Sequence, residues 1–332
     1  MKIAVVILNW NGAKLLSKFL PSVVAQSPTA VVVVADNGST DDSVALLQRD
    51  FPAVQCIRME QNYGFADGYN RTLQQVEADC YVLLNSDVEV TANWLTAPVE
   101  ILASNPRVAA VQPKIRSFTH RNEFEYAGAA GGFIDRLGYP LCRGRVLDTV
   151  EGDCGQYDSD ISVFWASGAC MFVRASAFHE AGGFDAGFWA HMEEIDLCWR
   201  LKNRGYSIRY TPRSVVYHLG GATLAYNNPQ KLFLNFRNSL FMLFKNLPRR
   251  ALLLTLPLRM LLDGVAALQF LFGGNGRAFN AVIRAHAAFY RALPALWHTR
   301  RQLPKSRKRF PEMLNTSIIW QYYIRKRRTW PQ

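Results

Sequence analysis

The 332-residue sequence lacks several patterns that would place it in common enzyme classes. No G-x-G-x-x-G follows the first apolar run, where only Gly12 stands, and this absence excludes a dinucleotide site of the Rossmann kind. The six cysteines form no Cys-x-x-Cys pair and show no zinc-ligand spacing. In a chain of this size we therefore expect reduced, structural thiols.

Acidic residues are nearly absent from the last hundred positions. Residues 231–332 contain 19 Lys and Arg against 2 Asp and Glu, a net charge of +17, whereas residues 1–230 have 19 against 24. This asymmetry predicts two regions in different surroundings. A basic region can be a solvated face or a nucleic-acid arm, but here the basic residues are interleaved with long apolar runs. That pattern favours an anionic membrane surface, and we expect no nucleic-acid partner.

The N-terminal part of the chain alternates apolar, strand-like runs with helical patterns. Lys2 leads directly into the first run at residues 3–8, so we expect no signal peptide and a cytoplasmic catalytic domain. Similar runs follow at 31–35 and 81–84. Strands that alternate with helices predict parallel βαβ units and an α/β fold around a mostly parallel sheet.

Polar residues follow these strands. Asp36 and Asp87 come at strand ends, and open α/β sheets bind their ligands at the carboxyl edge. An ionised Asp36 can accept hydrogen bonds from a ribose hydroxyl or a base imide. Asp87 offers a hard oxygen ligand for Mg²⁺ or Mn²⁺. The alternative is that these residues only turn the chain and cap the next helices.

Four motifs occur in an order and spacing that carry a family resemblance. They are VILNWN at 6–11, VADNGSTD at 34–41, NYGFA at 62–66 with Asn70, and LNSD at 84–87. With this combination, roughly the first 225 residues resemble the family-two nucleotide-sugar glycosyltransferases, and most of all their rhamnosyltransferase-type branch. The resemblance implies a glycosyltransferase A-type, Rossmann-like fold and inverting sugar transfer from a nucleotide-diphosphate donor.

The resemblance also implies roles for individual residues. The group implied to bind the nucleotide donor is Asn9, Asp36, Asn62, Gly64, Phe65, Asn70, Asn85 and Ser86. Asp87 and His218 are implied to hold Mg²⁺ or Mn²⁺ at the diphosphate, while Asn85 replaces the first acid of the family's Asp-x-Asp signature. Gly220 and Gly221 would let the backbone close on the phosphates. Without the resemblance, residues 62–65 indicate a simple turn and His218 an ordinary hydrogen-bonding histidine.

Three acids, Glu193, Glu194 and Asp196, occupy the first turn of a predicted helix. They can simply stabilise the helix by interacting with its dipole, at roughly 0.3–1 kcal/mol each. The family's Glu-Asp pair aligns with Glu193 and Glu194, which implies that Glu194 is the general base and Glu193 the second candidate. Asp196 can pair with Arg200 one turn further on.

The segment at 164–173 predicts a loop that enters a buried strand. The resemblance implies that it lines the junction between donor and acceptor. Trp165 then has two interpretations, an aromatic wall for a sugar of the acceptor or an ordinary core tryptophan. The irregular, glycine-rich stretch at 108–140 predicts a further part of the sugar or acceptor pocket.

We divide the chain into a catalytic domain at 1–229 and a basic, amphipathic helical, membrane-associating region at 230–332. The first is expected to keep nucleotide binding without the second. Residues 251–272 are long enough to span a membrane, yet Pro257, Arg259 and Asp263 argue against a span. Because Arg259 and Asp263 are four apart, they can pair on one helix.

The last part of the chain carries two signals for membrane binding. Residues 279–293 place apolar side chains on one stripe and arginines on another, which predicts an in-plane amphipathic helix. A polybasic stretch from Arg300 to Arg328 supplies the second signal. The alternative for 279–293 is packing on the enzyme itself or at a homodimer interface.

These patterns together predict an inverting, metal-dependent hexosyltransferase. It would transfer a sugar from a nucleotide-diphosphate donor to a hydroxyl of a lipid-linked or polysaccharide glycan, peripherally on the inner face of the cell membrane. One alternative is a non-catalytic scaffold that binds nucleotide sugars. Another is a sugar-nucleotide nucleotidyltransferase, against which the missing glycine-rich phosphate loop counts.

Overall fold

The computed structural model describes residues 1–220, 228–306 and 309–330. The strands there are β1 (Ile3–Asn9), β2 (Val31–Asp36), β3 (Gln55–Arg58), β4 (Cys80–Asn85), β5 (Val88–Val90), β6 (Val108–Ser117), β7 (Gly132–Ile134), β8 (Pro140–Cys142), β9 (Arg145–Val146), β10 (Thr149–Val150), β11 (Ile161–Val163), β12 (Cys170–Arg174) and β13 (Ser207–His218). The α-helices are α1 (Ala13–Gln26), α2 (Ser43–Asp50), α3 (Gly64–Leu73), α4 (Thr96–Ser104), α5 (Ala175–Glu180), α6 (Glu193–Asn203), α7 (Pro229–Asn246), α8 (Arg249–Phe272) and α9 (Gly276–Gln302).

A central sheet organises the first 220 residues. Its strand order is β11-β13-β6-β12-β4-β1-β2-β3, and β5 pairs with β13. β1 pairs in parallel with β2 and with β4, because these apolar runs are buried on both faces between two clusters of core side chains. β12 lies antiparallel between β4 and β6, so the sheet is mixed beyond β4. The predicted α/β class is confirmed.

A second, antiparallel sheet forms from β7 to β10, in and after the stretch expected to be irregular. The C-terminal segment, residues 309–330, packs against it. The backbone N–H of Ile318 donates to Asp135 Oδ2 at 2.8 Å, and the Trp330 ring lies 4.6 Å from the Phe133 ring. Part of the predicted polybasic stretch is therefore bound to the catalytic domain. Residues 325–328 are exposed, while Arg307 and Lys308 lie outside the described residues.

Helix α7 completes the core of the first 220 residues. Its residues Leu240, Met242 and Leu243 are buried in the same apolar cluster as residues of α6 and β13. Lys245 is buried and its Nζ lies 2.9 Å from Asp196 Oδ2 on α6. The predicted boundary at 229/230 coincides with the start of this helix. The expectation that residues 1–229 bind nucleotide alone conflicts with this packing, because removing α7 would expose their core.

Helix α9 packs on α7 with the stripe that was expected to face a membrane. Val282 and Phe289 are buried, and the Phe289 ring lies 5.9 Å from the ring of Phe244 on α7. The prediction of an in-plane membrane helix at 279–293 is thus wrong for this stripe, since most of its apolar surface is covered by the enzyme itself. Ile283 and Tyr290 remain exposed at its margin.

Helix α8 turns its two central charged residues inward. Arg259 Nε lies 3.0 Å from Asp263 Oδ1, and both side chains are buried, which confirms the expected pair. The Arg259 guanidinium also lies 3.7 Å above the Tyr139 ring. By length and composition α8 is the one helix in the described part of the chain that could cross a membrane. All six cysteines of the chain are free, as expected.

Candidate active site

The carboxyl ends of β1 and β2 bring Asn9 and Asp36 together, because the two residues are opposite each other in the strand register. Asn9 Nδ2 donates to Asp36 Oδ1 at 3.2 Å, and Asp36 Oδ2 accepts the backbone N–H of Ser39 at 3.1 Å. Asn9 Oδ1 is buried and has no hydrogen-bond partner among the described residues. A Cβ at Gly12 would lie 2.3 Å from that oxygen. This edge of the sheet thus holds a buried hydrogen-bond acceptor, Asn9 Oδ1, beside the Asp36 carboxylate. Gly12 has no side chain and so leaves space for that oxygen.

The loop before α3 is tied to β2 by Asn37. Asn37 Nδ2 donates to Asn62 Oδ1 at 3.1 Å and to the Gly64 carbonyl at 2.9 Å. Asn37 Oδ1 accepts the backbone N–H of Tyr63 at 3.0 Å. Gly64 has φ +75°, which an L side chain rarely adopts. The structure therefore joins the predicted residues Asn62 and Gly64 to the Asp36 edge through a residue that sequence reasoning missed.

Phe65 and Asn70 connect this loop to the second half of the domain. Asn70 uses both ends of its amide on the Phe184 backbone, donating to the carbonyl at 2.8 Å and accepting the N–H at 2.9 Å. The Phe65 ring stacks edge-on against Tyr69 at 4.8 Å. Asn70 thus orients α3, and its predicted contact with the nucleotide stays a prediction.

Asp87, His218 and Glu125 form a buried charged cluster. β5 pairs with β13 so that Val88 is opposite His218, which places Asp87 beside the imidazole. His218 Nε2 lies 3.1 Å from Asp87 Oδ1, and His218 Nδ1 lies 3.2 Å from Glu125 Oε2. Burial opposes the imidazolium, but Glu125 and Asp87 outweigh it and raise the pKa of His218 to about 10. Burial likewise opposes the Asp87 carboxylate, yet the hydrogen bond from His218 lowers its pKa.

The described residues hold no group of three or more His, Cys, Asp and Glu side chains arranged to bind a metal ion. The 3.1 Å between His218 Nε2 and Asp87 Oδ1 is an ion-pair distance, and the imidazole would have to lose its proton to bind a cation. Asn85 Nδ2 lies 3.4 Å from His218 Nε2, so the three residues predicted near the metal come together. A carboxylate with an imidazole suits Mn²⁺ and, through the carboxylate, Mg²⁺. Gly221 lies outside the described residues.

Each of the two glutamates at the start of α6 has one buried carboxyl oxygen without a hydrogen-bond partner among the described residues; Glu193 is buried as a whole and Glu194 is half-buried. These oxygens are Glu193 Oε2 and Glu194 Oε2. Burial, with the neighbouring Glu194 carboxylate, raises the pKa of Glu193 well above its usual range. Burial raises the pKa of Glu194 to about 7. A Cβ at Gly168 would lie 3.4 Å from Phe65 Cζ and 3.9 Å from Glu194 Cβ, so this pair and the α3 loop meet across Gly168.

Trp165 lies in the core. Its ring is buried, its Nε1 donates to the Phe133 carbonyl at 2.7 Å, and a Cβ at Gly132 would lie 2.2 Å from the ring. This placement agrees with the core interpretation, and a contact with the acceptor stays a prediction. Ser86 is half-buried, with its Oγ 3.8 Å from the position of a Gly12 Cβ.

Sequence reasoning missed two side chains of the site for different reasons. Glu125 lies in the stretch that was expected to be an irregular pocket wall, and no local sequence pattern distinguishes it from acids that lie on the surface. Asn37 belongs to the same motif as Asp36, so its place beside a strand end was a usable signal. A cavity of about 700 Å³ opens elsewhere, against Lys2, Tyr81 and His179, and contains none of the predicted site residues.

Comparison with known proteins agrees with this arrangement of site residues. A profile described as "Glycosyltransferase like family 2" matches residues 1–239. The chain belongs to this glycosyltransferase family. It is 28% identical over 229 residues to the N-acetylglucosaminyl-diphospho-decaprenol L-rhamnosyltransferase of Mycobacterium tuberculosis (strain ATCC 25618 / H37Rv), and this match covers 64% of the chain and 75% of the relative.

Solved structures resemble this glycosyltransferase in fold. The mannosyltransferase PcManGT from Pyrobaculum calidifontis, in complex with GDP-Man and Mn²⁺, aligns with a TM-score of 0.53 and 17% identity over 91% of this chain and 79% of that one. GalNAc-T7 with UDP, GalNAc and Mn²⁺ aligns with a TM-score of 0.58 and 16% identity over 75% of this chain and 48% of that one. The predicted glycosyltransferase A-type fold is confirmed.

We predict that Gly64→Ala destabilises the protein and weakens binding of nucleoside diphosphates, because its Cβ would lie 2.7 Å from Trp189 Cδ2. Such overpacking costs about 1–3 kcal/mol beyond the backbone strain. Gly182→Ala is the matched control, since Gly182 has a similar φ of +81° but no atom within 4 Å of its Cβ. Urea unfolding and calorimetric titration measure both effects. Equal losses in the two variants would contradict a role for the Trp189 contact.

Proposed function

We propose that this protein is an inverting glycosyltransferase that transfers a hexose, L-rhamnose, from a nucleotide-diphosphate donor to a hydroxyl of a lipid-linked glycan. The observation that carries the proposal is the pair of buried, unpartnered carboxyl oxygens, Oε2 of Glu193 and Oε2 of Glu194, beside the α3 loop. The mycobacterial relative is named as an L-rhamnosyltransferase that acts on a diphospho-decaprenol glycan. That name supports rhamnose and a polyprenyl-type acceptor.

The donor would bind along the carboxyl edge of β1, β2 and β4. Asp36 and the free acceptor of Asn9 suit a ribose or base, and the loop held by Asn37 would cover the nucleotide. Asp87 and His218, with Asn85 beside them, would hold Mg²⁺ or Mn²⁺ at the diphosphate. When bound, the ion would neutralise the charge that develops on the diphosphate leaving group.

Glu194 is the better of the two candidates for the general base. Its pKa of about 7 leaves a large fraction ionised at neutral pH, while burial and the Glu194 charge raise the pKa of Glu193 well above its usual range. An ionised Glu194 would accept the proton of the acceptor hydroxyl as that oxygen attacks the sugar carbon and the diphosphate leaves. The raised pKa of Glu193 favours its neutral form, which limits repulsion between the two side chains.

The alternative functions explain the buried acids less well. A non-catalytic scaffold gains nothing from two buried carboxyl oxygens without hydrogen-bond partners, which cost stability. A nucleotidyltransferase needs a loop that cradles phosphates after the first strand, whereas residues 9–12 place the Asn9 amide there.

We predict that Asp87→Ala and His218→Ala weaken metal-dependent binding of nucleoside diphosphates by at least about 10-fold. Calorimetric titrations of UDP, GDP and dTDP, with Mn²⁺ or with EDTA, measure this effect and identify the nucleobase. Asp67→Ala removes a carboxylate that pairs with Arg71 on the surface of α3, and it should bind like the wild type. Unchanged metal dependence in Asp87→Ala would contradict the assignment of the metal site.

We predict that Glu194→Gln lowers kcat by about 10²–10⁴-fold with donor affinity near normal, since a base acts on the rate rather than on nucleotide binding. Glu193→Gln should lose less. Because the base must be ionised, kcat of the wild type should rise as pH increases through about 7, the pKa of Glu194, and this rise should vanish in Glu194→Gln. A dead Glu193→Gln beside an active Glu194→Gln would move the assignment by one residue.

The protein would reach the lipid of its acceptor at a membrane surface to which helix α8 binds. The exposed apolar residues of this helix recur at helical spacing along one face: Leu254, Leu258, Leu261, Val265, Leu268 and Phe272. Exposed Arg249 and Arg250 stand at its N-terminal end, and its one acid, Asp263, is buried. An apolar face flanked by cations and free of exposed acid suits an anionic bilayer.

This helix would lie in the membrane interface and would not span the bilayer. Arg259 and Asp263 near its middle are paired, and Arg259 covers Tyr139 of the catalytic domain. A span would separate Arg259 from this contact and bring both charges into hydrocarbon, at roughly 2.5–3.5 kcal/mol each on insertion scales. The cytoplasmic, peripheral location predicted from the sequence would thus rest on α8, with the exposed basic residues 325–328 adding attraction.

We predict that Leu254→Glu with Leu261→Glu lowers binding to anionic liposomes by at least about 100-fold, because each buried leucine contributes about 1.5–3 kcal/mol. Val24→Glu, at an exposed position of α1, is the control and should float with liposomes as the wild type does. High salt or carbonate should release the wild type. A full-length protein that stays off anionic liposomes at low salt would contradict the membrane proposal and favour a homodimer through this face.

A further inference from the structure

The segment that precedes Glu193 has a strained backbone. Trp189, His191 and Met192 have φ of 66°, 70° and 71°, all in the left-handed region that residues other than glycine rarely adopt. Met192 immediately precedes α6, and its carbonyl accepts the N–H of Asp196 at 2.9 Å. The direction in which Glu193 and Glu194 enter the site therefore depends on a conformation that the local chain does not favour. Other contacts must hold it.

One side chain of α7 supplies these contacts. Asn238 Nδ2 lies within hydrogen-bond distance of three carbonyl oxygens of the segment, at 3.0 Å from Phe188, 2.9 Å from Ala190 and 2.7 Å from His191. Asn238 is fully buried. An amide group donates two hydrogens, so the three carbonyls share them in a bifurcated arrangement. The left-handed turn is thus closed around the amide of Asn238.

A neighbouring arginine fixes the orientation of that amide. Arg237 Nε donates to Asn238 Oδ1 at 2.8 Å. Since a guanidinium only donates, the oxygen of Asn238 must face Arg237, and its NH₂ group must face the carbonyls. The Arg237 NH2 nitrogen also lies 3.0 Å from the carbonyls of Gly187 and Phe188. Adjacent residues of α7 therefore hold the segment together.

The far end of α7 anchors both flanks of the segment. Lys245 Nζ pairs with Asp185, before the segment, and with Asp196, after it. Asn246 Nδ2 donates to Asp196 Oδ1 at 2.8 Å, and Arg200 Nε lies 2.7 Å from Asp196 Oδ2. Asp185 and Asp196 face Lys245 and Arg200 here, so two negative charges are balanced by two positive ones. The segment 185–196 is consequently bound to α7 at both ends and in the middle.

The same segment reaches the loop proposed to cover the donor. The Trp189 carbonyl accepts the backbone N–H groups of Phe65 at 2.8 Å and Ala66 at 3.1 Å, at the start of α3. The position of the acid pair and the position of the α3 loop are therefore set by one short stretch of backbone.

We propose that Asn238 is a positioning residue for the transfer reaction, which holds the segment 188–192 in the conformation that presents Glu194 to the acceptor. This inference rests on the proposed role of Glu194 and extends it, because it makes helix α7, in the region expected to serve the membrane, part of the catalytic apparatus. Asn238 itself touches no reacting atom and acts through the backbone.

The test compares two substitutions at one site in the full-length protein. Asn238→Asp keeps the oxygen that meets Arg237 but replaces the donor with an acceptor, which the three carbonyls repel. Asn238→Ala removes both. Asn235→Ala, one turn earlier on the same helix and half-buried, is the matched control. Each variant is assayed at a temperature where circular dichroism shows it fully folded, with kcat and KM for the acceptor and calorimetric Kd for nucleoside diphosphate.

A small displacement of a catalytic group costs about 100-fold in rate, so we expect kcat to fall about 10–100-fold in both Asn238 variants. The Kd for nucleoside diphosphate should change less than kcat, and Asn235→Ala should match the wild type. A fully folded Asn238→Asp with wild-type kcat would overturn the proposal. So would equal losses in kcat and donor affinity, which indicate a general structural role.

A double substitution separates this proposal from the assignment of the base. If Asn238 acts through Glu194, adding Asn238→Asp to Glu194→Gln should lower the residual kcat little further, whereas fully additive losses would overturn the proposal. If Glu194→Gln is active while Asn238→Asp is not, the assignment of Glu194 as the base fails. In that case the positioning role stands, and it serves Glu193.

Discussion

The register of three parallel strands is the constraint on which the site depends. Asn9 is opposite Asp36, and Leu8 is opposite Asn85, so the polar ends of β1, β2 and β4 meet at one edge. A slip by one residue would turn every side chain of a strand to the other face. The position of the polar residues opposes such a slip, because it would draw Asn9 or Asp36 into the core among the buried Val, Ile and Leu side chains. The geometry of the polar site is therefore a consequence of the apolar core behind it.

Residues with a strong local signal could be predicted, and residues that act through distant contacts could not. Asp36 and Asp87 were recognised because a carboxylate at the end of a buried strand is unusual and points to the ligand edge. Glu125 meets His218 only because β13 pairs with β6 and Phe124 bridges to Arg116 of β6, and no sequence pattern links positions so far apart. For Trp165, burial agrees with the core interpretation, and burial depends on the whole core and not on the local sequence.

The helical region shows how a correct pattern can indicate the wrong partner. An amphipathic stripe on α9 predicts that one face is buried, but the pattern is the same for a bilayer and for a neighbouring helix, and here α7 covers it. In the sequence, Arg259 and Asp263 argue against a membrane span at 251–272 and can pair on one helix. They pair with each other and turn inward, so the exposed side of α8 is its apolar one. Charges that neutralise each other can be buried, and this reverses the usual inference from polarity to exposure.

The contacts of the C-terminal segment have a consequence for how the chain folds. Ile318 donates to Asp135 across 183 positions, Trp330 donates to Glu151 across 179, and the Tyr322 hydroxyl meets that of Thr149 across 173. During synthesis the first strands can pair long before these residues leave the ribosome. Until residues 309–330 are synthesised, part of the surface of the β7–β10 sheet stays uncovered. Contacts between residues so far apart in sequence also form slowly. We therefore expect β7 to β10 to be the last part of the protein to become ordered, and to be the surface that chaperones meet in the nascent chain.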